Sequence, residues 1–86
     1  MCTPSADFSS IVRTAARAFE TAAAEVSYAS SNNLLTALLR RDDARARRDN
    51  LFTLAALRDI ARRNGTALVA PRLAHITAED VAAASA

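Results

Sequence analysis

The chain has 86 residues, of which 22 are alanine, one is glycine and two are proline, and 11 arginines against nine acidic residues give a net charge of +2. One cysteine excludes an intrachain disulfide, and one glycine excludes a glycine-rich phosphate-binding loop. No apolar run approaches the ~20 residues that span a bilayer, and the N-terminus lacks the pattern of a signal peptide. We therefore expect a soluble, cytoplasmic protein, and the alanine excess predicts an all-α fold.

The first predicted helix starts at Phe8, and residues 1–6 are expected to form a flexible lead. Apolar side chains recur at helical spacing from Phe8 to Val26, which is typical of an amphipathic helix. Ser5 or Asp7 can cap its first turn by accepting a bond from a backbone N–H group.

The second predicted segment changes character along its length. Serine and asparagine side chains between residues 27 and 33 compete for backbone hydrogen bonds and predict a turn. Four leucines then form a short apolar face: Leu34, Leu35, Leu38 and Leu39. Residues 40–50 follow with five arginines, three aspartates and no large apolar side chain. Either one helix runs from about residue 33 to residue 64, or two helices meet near Asp49 and Asn50, and the second arrangement is favoured because Asp-Asn before an apolar run is a start signal.

The clearest helix signal is the stretch NLFTLAALRDIARRNG, residues 50–65. Asn50 can cap its start, and Arg62 and Arg63 suit the carbonyl end of the helix dipole. Gly65 stands where a left-handed C-cap residue is needed. The predicted core stripe of this helix consists of Leu51, Leu54, Leu57 and Ala61, widened by Phe52 and Ile60.

The C-terminal part predicts a connector and one more helix. Residues 66–76 read as an extended connector, because Pro71 disfavours helical geometry at the residue before it. Thr77 can cap a short last helix, with Glu79 and Asp80 in its first turn. The sequence thus predicts a single helical domain over residues 1–86: a small bundle of three main helices plus a short C-terminal helix.

Two short stretches resemble parts of known folds. Residues 57–67, LRDIARRNGTA, resemble the first half of a helix-turn-helix, but Pro71 would fall inside the recognition helix. Residues 76–84, ITAEDVAAA, resemble the last loop and helix of histone-fold proteins, whose long central helix residues 33–64 could supply. The first helix and the connector at residues 65–76 are longer than that fold requires, so neither resemblance predicts a family.

The side chains that could carry catalysis are few. His75 is the sole histidine, and general acid–base chemistry would need an orienting partner and a pocket around it. Cys2 lies at the chain end with no base beside it, and one cysteine with one histidine does not make a metal site. We predict that the protein is not an enzyme, that it has no catalytic residue, cofactor or metal site, and that His75 is a surface or interface residue.

The basic residues are concentrated in one stretch. Residues 40–63 contain eight arginines and four aspartates, a net charge of +4. About twenty large apolar side chains are few for a domain of this size, so an oligomer or a partner surface is a plausible source of further stability. The predicted partner-binding residues are Arg40, Arg41, Arg45, Arg47 and Arg48 for an acidic protein face, with Leu34, Leu35, Leu38 and Leu39 as the apolar part.

The functional prediction follows from this surface. We expect a small non-catalytic protein-interaction module, such as an adaptor, subunit or inhibitor, that binds a protein with an acidic face or associates with itself as a homo-oligomer. The alternative is a nucleic-acid-binding protein whose arginines in residues 40–63 contact phosphates.

Overall fold

The computed structural model describes residues 7–69 and 72–86, and within these ranges the chain forms three α-helices and no strand. Helix α1 spans Phe8–Tyr28, helix α2 spans Leu34–Asn64 and helix α3 spans Ala78–Ser85. The all-α prediction is confirmed. The predicted count of three main helices plus a short one is wrong, because the described residues contain three helices in total. The expected lead at residues 1–6 and the expected break at Pro71 lie outside the described residues.

Helix α2 is continuous through the arginine-rich stretch, so the favoured break near Asn50 is also wrong. Residues 40–50 contain no glycine or proline, and their alanines and arginines are good helix formers. The buried side also continues without interruption, since Ala37, Ala44 and Leu51 are seven residues apart and point the same way to within about 40°. Asn50 does not cap a helix, because its Nδ2 atom donates to the carbonyl oxygen of Ala74 at 2.8 Å.

The ends of the first two helices agree with local sequence signals. Asp7 Oδ1 accepts a bond from the backbone N–H of Ser10 at 2.7 Å, and this bond holds the pKa of the Asp7 carboxyl below its ordinary value. Gly65 ends α2 with φ of 64°, in the left-handed region. The Thr66 N–H donates to the carbonyl of Ala61 at 2.9 Å, which completes a Schellman-type end. The predicted caps at Asp7 and Gly65 are confirmed.

The core lies where the start of α1, the middle of α2 and the end of α3 meet. Leu51 and Leu54 of α2 are fully buried there, against Phe8 and Ala15 of α1 and Ala84 of α3. They are the largest fully buried side chains among the described residues. Away from this cluster the buried apolar residues of α1 and α2 are Ala22, Ala37 and Ala61, and burial of alanine contributes little.

The molecule is extended rather than spherical. Its Cα radius of gyration is 15.4 Å and its principal extents are 51 × 33 × 17 Å, whereas a compact domain of this length has a radius of gyration of about 12 Å. Helix α2 has 31 residues and so is about 46 Å long. Within the described residues, no helix combines the length and the apolar character needed to cross a membrane.

Candidate functional site

The four leucines at the start of α2 divide into two sets. Leu35 and Leu39 are 70% and 57% exposed, and helical geometry places them about 40° apart on the side of α2 that faces away from α1. Leu34 is exposed and Leu38 is half-buried, and they point about 60° and 100° away from the buried Ala37. The predicted apolar contact residues are therefore largely accessible, but they do not form one narrow face.

The five predicted contact arginines also differ in their surroundings. Arg40 and Arg45 are exposed, and neither forms an ion pair with another residue that the structure describes. Arg41 pairs with the adjacent Asp42 at 3.2 Å, and Arg48 pairs with its own neighbour, Asp49, at 2.8 Å. Neighbouring acids thus offset part of the positive charge that the composition indicates.

Arg48 also packs across the α1–α2 contact. Its guanidinium carbon lies 4.2 Å from the centroid of the Phe19 ring, and that of Arg45 lies 5.8 Å from the same centroid. Both distances are within the range of a cation–π interaction. Phe19 is half-buried, and Arg45 and Arg48 cover part of its ring at the contact between α1 and α2.

Arg47 has a structural role in the described part of the chain. Its Nη1 donates to Asp80 Oδ2 and to the His75 carbonyl oxygen, each at 2.8 Å, and its Nη2 donates to Asp80 Oδ1 at 3.3 Å. The side chain of Arg47 is 35% exposed, whereas that of Asp80 is 4% exposed. The arginine hydrogen bond lowers the pKa of the Asp80 carboxyl and raises that of Arg47, although burial acts in the opposite direction on both groups.

Asp80 is held by its own helix as well. Its Oδ2 accepts from the backbone N–H of Thr77 at 2.9 Å, while Thr77 Oγ1 accepts from the Asp80 N–H at 3.2 Å. This reciprocal pair is a capping box and confirms Thr77 as the predicted cap of α3. One carboxylate thus closes the start of α3 and joins it to the middle of α2.

The turn before α3 is attached to the same side of α2. Asn50 binds the Ala74 carbonyl, and Arg47, one turn earlier, binds the His75 carbonyl. His75 has φ of 63°, a value that is uncommon outside glycine. We name the group formed by Arg47, Asn50, His75 and Asp80 the α2–α3 clamp.

The α2–α3 clamp was not predicted from the sequence. Arg47 was expected among the surface arginines, and Asn50 was expected at a helix start. The Thr77–Asp80 spacing does indicate the cap of α3, but it does not indicate that an arginine 33 residues before Asp80 contacts the same carboxylate. Only the path of the connector brings the two side chains together.

The side chains that could serve catalysis or metal binding are few in the described ranges. His75 Nε2 lies 3.7 Å from Asp43 Oδ1 at an exposed position. Cys2 lies outside those ranges. Among residues 7–69 and 72–86, no group of three or more histidine, cysteine or acidic side chains is placed to hold a metal ion.

One large apolar residue of α2 beyond the arginine-rich stretch also faces away from α1. Ile60 is 48% exposed and points within about 60° of Leu39. Phe52 is 49% exposed and lies on a different side of the helix. Both residues were expected to widen the core stripe, and both are instead accessible.

Comparison with protein-family models, with curated proteins and with solved structures gave no match.

Proposed function

We propose that this protein is a small non-catalytic interaction module that works by surface contact with a protein, either a partner or another copy of itself. The proposal rests on one observation: α2 buries some of its large apolar side chains and leaves others exposed to solvent. Leu51 and Leu54 are fully buried, whereas Leu35, Leu39 and Ile60 along the same helix are about half or more exposed. Full burial of each such side chain is worth about 1.5–3 kcal/mol, so a protein surface laid against α2 would recover several kcal/mol.

The charges next to these leucines suit a protein surface with acidic groups. Arg40 and Arg45 are exposed on α2 and can contribute ion pairs at the rim of a contact. Arg41, Arg47 and Arg48 already pair with aspartates. A surface whose cations are largely matched by its own acids favours protein over phosphate as the ligand, because phosphate binding depends on unmatched cations.

Size-exclusion chromatography with light scattering, monitored at 260 and 280 nm, tests the proposal on the untagged full chain. We expect a peak at a multiple of 9.1 kDa with no excess absorbance at 260 nm, together with fluorescence from a hydrophobic dye that falls as the protein associates. A cooperative 9.1 kDa monomer that binds no dye would contradict the proposal. A peak rich in 260 nm absorbance that becomes bare protein at high salt would favour the nucleic-acid alternative.

A matched pair of charge reversals tests the arginines. Arg40→Glu changes an exposed residue of α2 that forms no ion pair and no cation–π contact with a residue that the structure describes, and Arg17→Glu makes the same change at an exposed position on the side of α1 that faces away from α2. We expect Arg40→Glu to weaken association at low salt and Arg17→Glu to leave it unchanged, with equal helical content by circular dichroism. Arg47→Glu is unsuitable for this test, because it would break the α2–α3 clamp.

A further inference from the structure

A cleft of about 310 Å³ lies between α1 and α2, next to the α2–α3 clamp. Its apolar wall consists of Ile11, Ala15 and Ala18 of α1 and Ala44 of α2, and Arg47 also lines it. Three of these residues are alanines, whose short side chains leave the space between the helices unfilled. The volume is at the lower end of the range of about 300–1,000 Å³ that small-molecule sites occupy. Because water gains little from apolar walls, an apolar group would replace it there favourably.

The charge around this cleft is positive. Arg47 is cationic, and none of the described residues that line the cleft is acidic. Arg13 adds a second positive charge at the rim, because its Nη2 donates at 3.5 Å to Oγ of Ser10, which also lines the cleft. Asp80 binds Arg47 from the α3 side and is not among the lining residues. A cleft lined by charge of one sign attracts ligands of the opposite sign, so an anionic group suits this one.

One edge of the Arg47 guanidinium is open to such a group. A guanidinium has five N–H donors, and Arg47 donates twice from Nη1 and once from Nη2, to Asp80 and to the His75 carbonyl. Its Nε–H and its second Nη2–H lie on one edge and donate to no residue that the structure describes. On Arg41 and on Arg48 this same edge carries an aspartate oxygen. The open edge of Arg47 is therefore a fork that matches a carboxylate.

We propose that this cleft binds a small amphipathic carboxylate, with one carboxylate group and an apolar chain of about eight carbons. The carboxylate accepts two hydrogen bonds from the open edge of Arg47, and the chain lies along Ile11, Ala15 and Ala18. The volume sets the length of the chain, because about 310 Å³ equals about ten water molecules at ~30 Å³ each, and a ligand of this kind has about ten non-hydrogen atoms.

The ligand site is separate from the protein contact of the proposed function. Asp80 keeps its own bonds to Nη1 and Nη2 of Arg47, so the ligand binds without opening the α2–α3 clamp. The cleft lies between α1 and α2, whereas Leu35, Leu39 and Ile60 are exposed elsewhere on α2. Failure of either proposal therefore leaves the other unchanged.

The first test uses three ligands on the unaltered full chain. Octanoate has both the carboxylate and the chain, octanol has the chain without the charge, and acetate has the charge without the chain. We expect octanoate to bind saturably in NMR titrations and to shift the amide signals of Ile11, Ala18 and Ala44. Octanol should bind at least about tenfold more weakly, because it loses hydrogen bonds to a charged group, and acetate should not saturate. Equal affinity for octanoate and octanol, or shifts confined to Leu35 and Leu39, would overturn the inference.

The second test narrows the cleft. Ala18 and Ala24 are both exposed residues of α1, and of the two only Ala18 lines the cleft. We expect Ala18→Leu to lower the octanoate affinity about tenfold, as when two methylene groups leave an apolar site. Ala24→Leu is the matched control and should bind octanoate as the wild type does, with equal helical content in both variants. Unchanged affinity in Ala18→Leu would show that octanoate binds elsewhere.

The third test separates the open edge of Arg47 from the stability of the α2–α3 clamp. Arg47→Gln and Asp80→Asn both break the ion pair of the clamp, but only Arg47→Gln removes the fork. The comparison is made at a low temperature, with helical content checked by circular dichroism. We expect Arg47→Gln to lower the octanoate affinity by about tenfold or more, and Asp80→Asn to bind octanoate at least as tightly as the wild type because a nearby negative charge is removed. Equal loss of binding in both variants would contradict the assigned contact with Arg47.

Discussion

Replacing Asp80 by asparagine tests whether the α2–α3 clamp holds the two helices together. The change keeps the size of the side chain but removes the charge that binds two guanidinium nitrogens of Arg47, at 2.8 and 3.3 Å. Breaking a fully buried ion pair costs about 3–5 kcal/mol, and a hydrogen bond to a charged group is worth about 1.5–3 kcal/mol. Because the Arg47 side chain is 35% exposed, solvent screens the pair, and we expect a loss of about 2 kcal/mol.

Asp49→Asn is the control for this experiment. It makes the same chemical change in a carboxylate that pairs with an arginine at 2.8 Å, but the Asp49 side chain is 53% exposed. An exposed pair of this kind is worth about 0–1 kcal/mol. Thermal unfolding by circular dichroism, at one protein concentration because association also stabilises, should show a melting temperature lower by about 8–16 °C for Asp80→Asn and nearly unchanged for Asp49→Asn.

Equal effects of the two substitutions would refute the reasoning, since they would mean that burial adds nothing to the Arg47–Asp80 pair. We also expect Asp80→Asn to keep its helical content at low temperature, because α1 and α2 do not depend on this carboxylate. Loss of most helical signal would show that the clamp is needed for the whole fold rather than for the position of α3.

Two further predictions follow from the described geometry. The folded-state pKa of Asp80 is lowered, so its contribution to stability is complete above the unfolded value of about 3.9 and is lost as the pH falls through the lower folded value. The difference in unfolding free energy between wild type and Asp80→Asn should therefore shrink from pH 7 to pH 3 in denaturant titrations, and a constant difference would contradict it. Gly65 has φ of 64° and nothing within 4 Å of an added Cβ, so Gly65→Ala should cost about 1–2 kcal/mol from backbone strain alone. Gly65→Asn should cost less because asparagine tolerates this conformation, and equal costs would contradict the strain explanation.

The helix ends could be predicted from the sequence because they depend on residues that are close together along the chain. The caps at Asp7 and Thr77 bind groups three residues away, and Gly65 has the left-handed backbone that a helix end often requires. The break predicted at Asn50 failed because its start signal competes with an uninterrupted run of good helix formers. The Asn50 side chain instead donates a hydrogen bond to the carbonyl oxygen of Ala74, 24 residues later.

Only part of the proposed contact surface on α2 could be predicted from the sequence. Leu35 and Leu39 were expected at a contact and are exposed, but Ile60 was expected in the core and is about half exposed. Periodicity shows that α2 has more apolar positions than one side can hold, and it does not show which side α1 covers. Similarly, a run of arginines does not reveal that Arg47 alone among them reaches a nearly buried carboxylate.

The sequence by itself determined that the chain is helical, where its helices begin at Phe8 and Ala78, and that α2 ends before Gly65. These features depend on propensity and on bonds that span a few residues. Tertiary structure decided that Arg47 and Asp80 join α2 to α3 and that Leu39 and Ile60 stay exposed. Those outcomes depend on which side of α2 is covered by α1 and the connector, and residues 24 to 33 positions apart meet there only after the chain has folded.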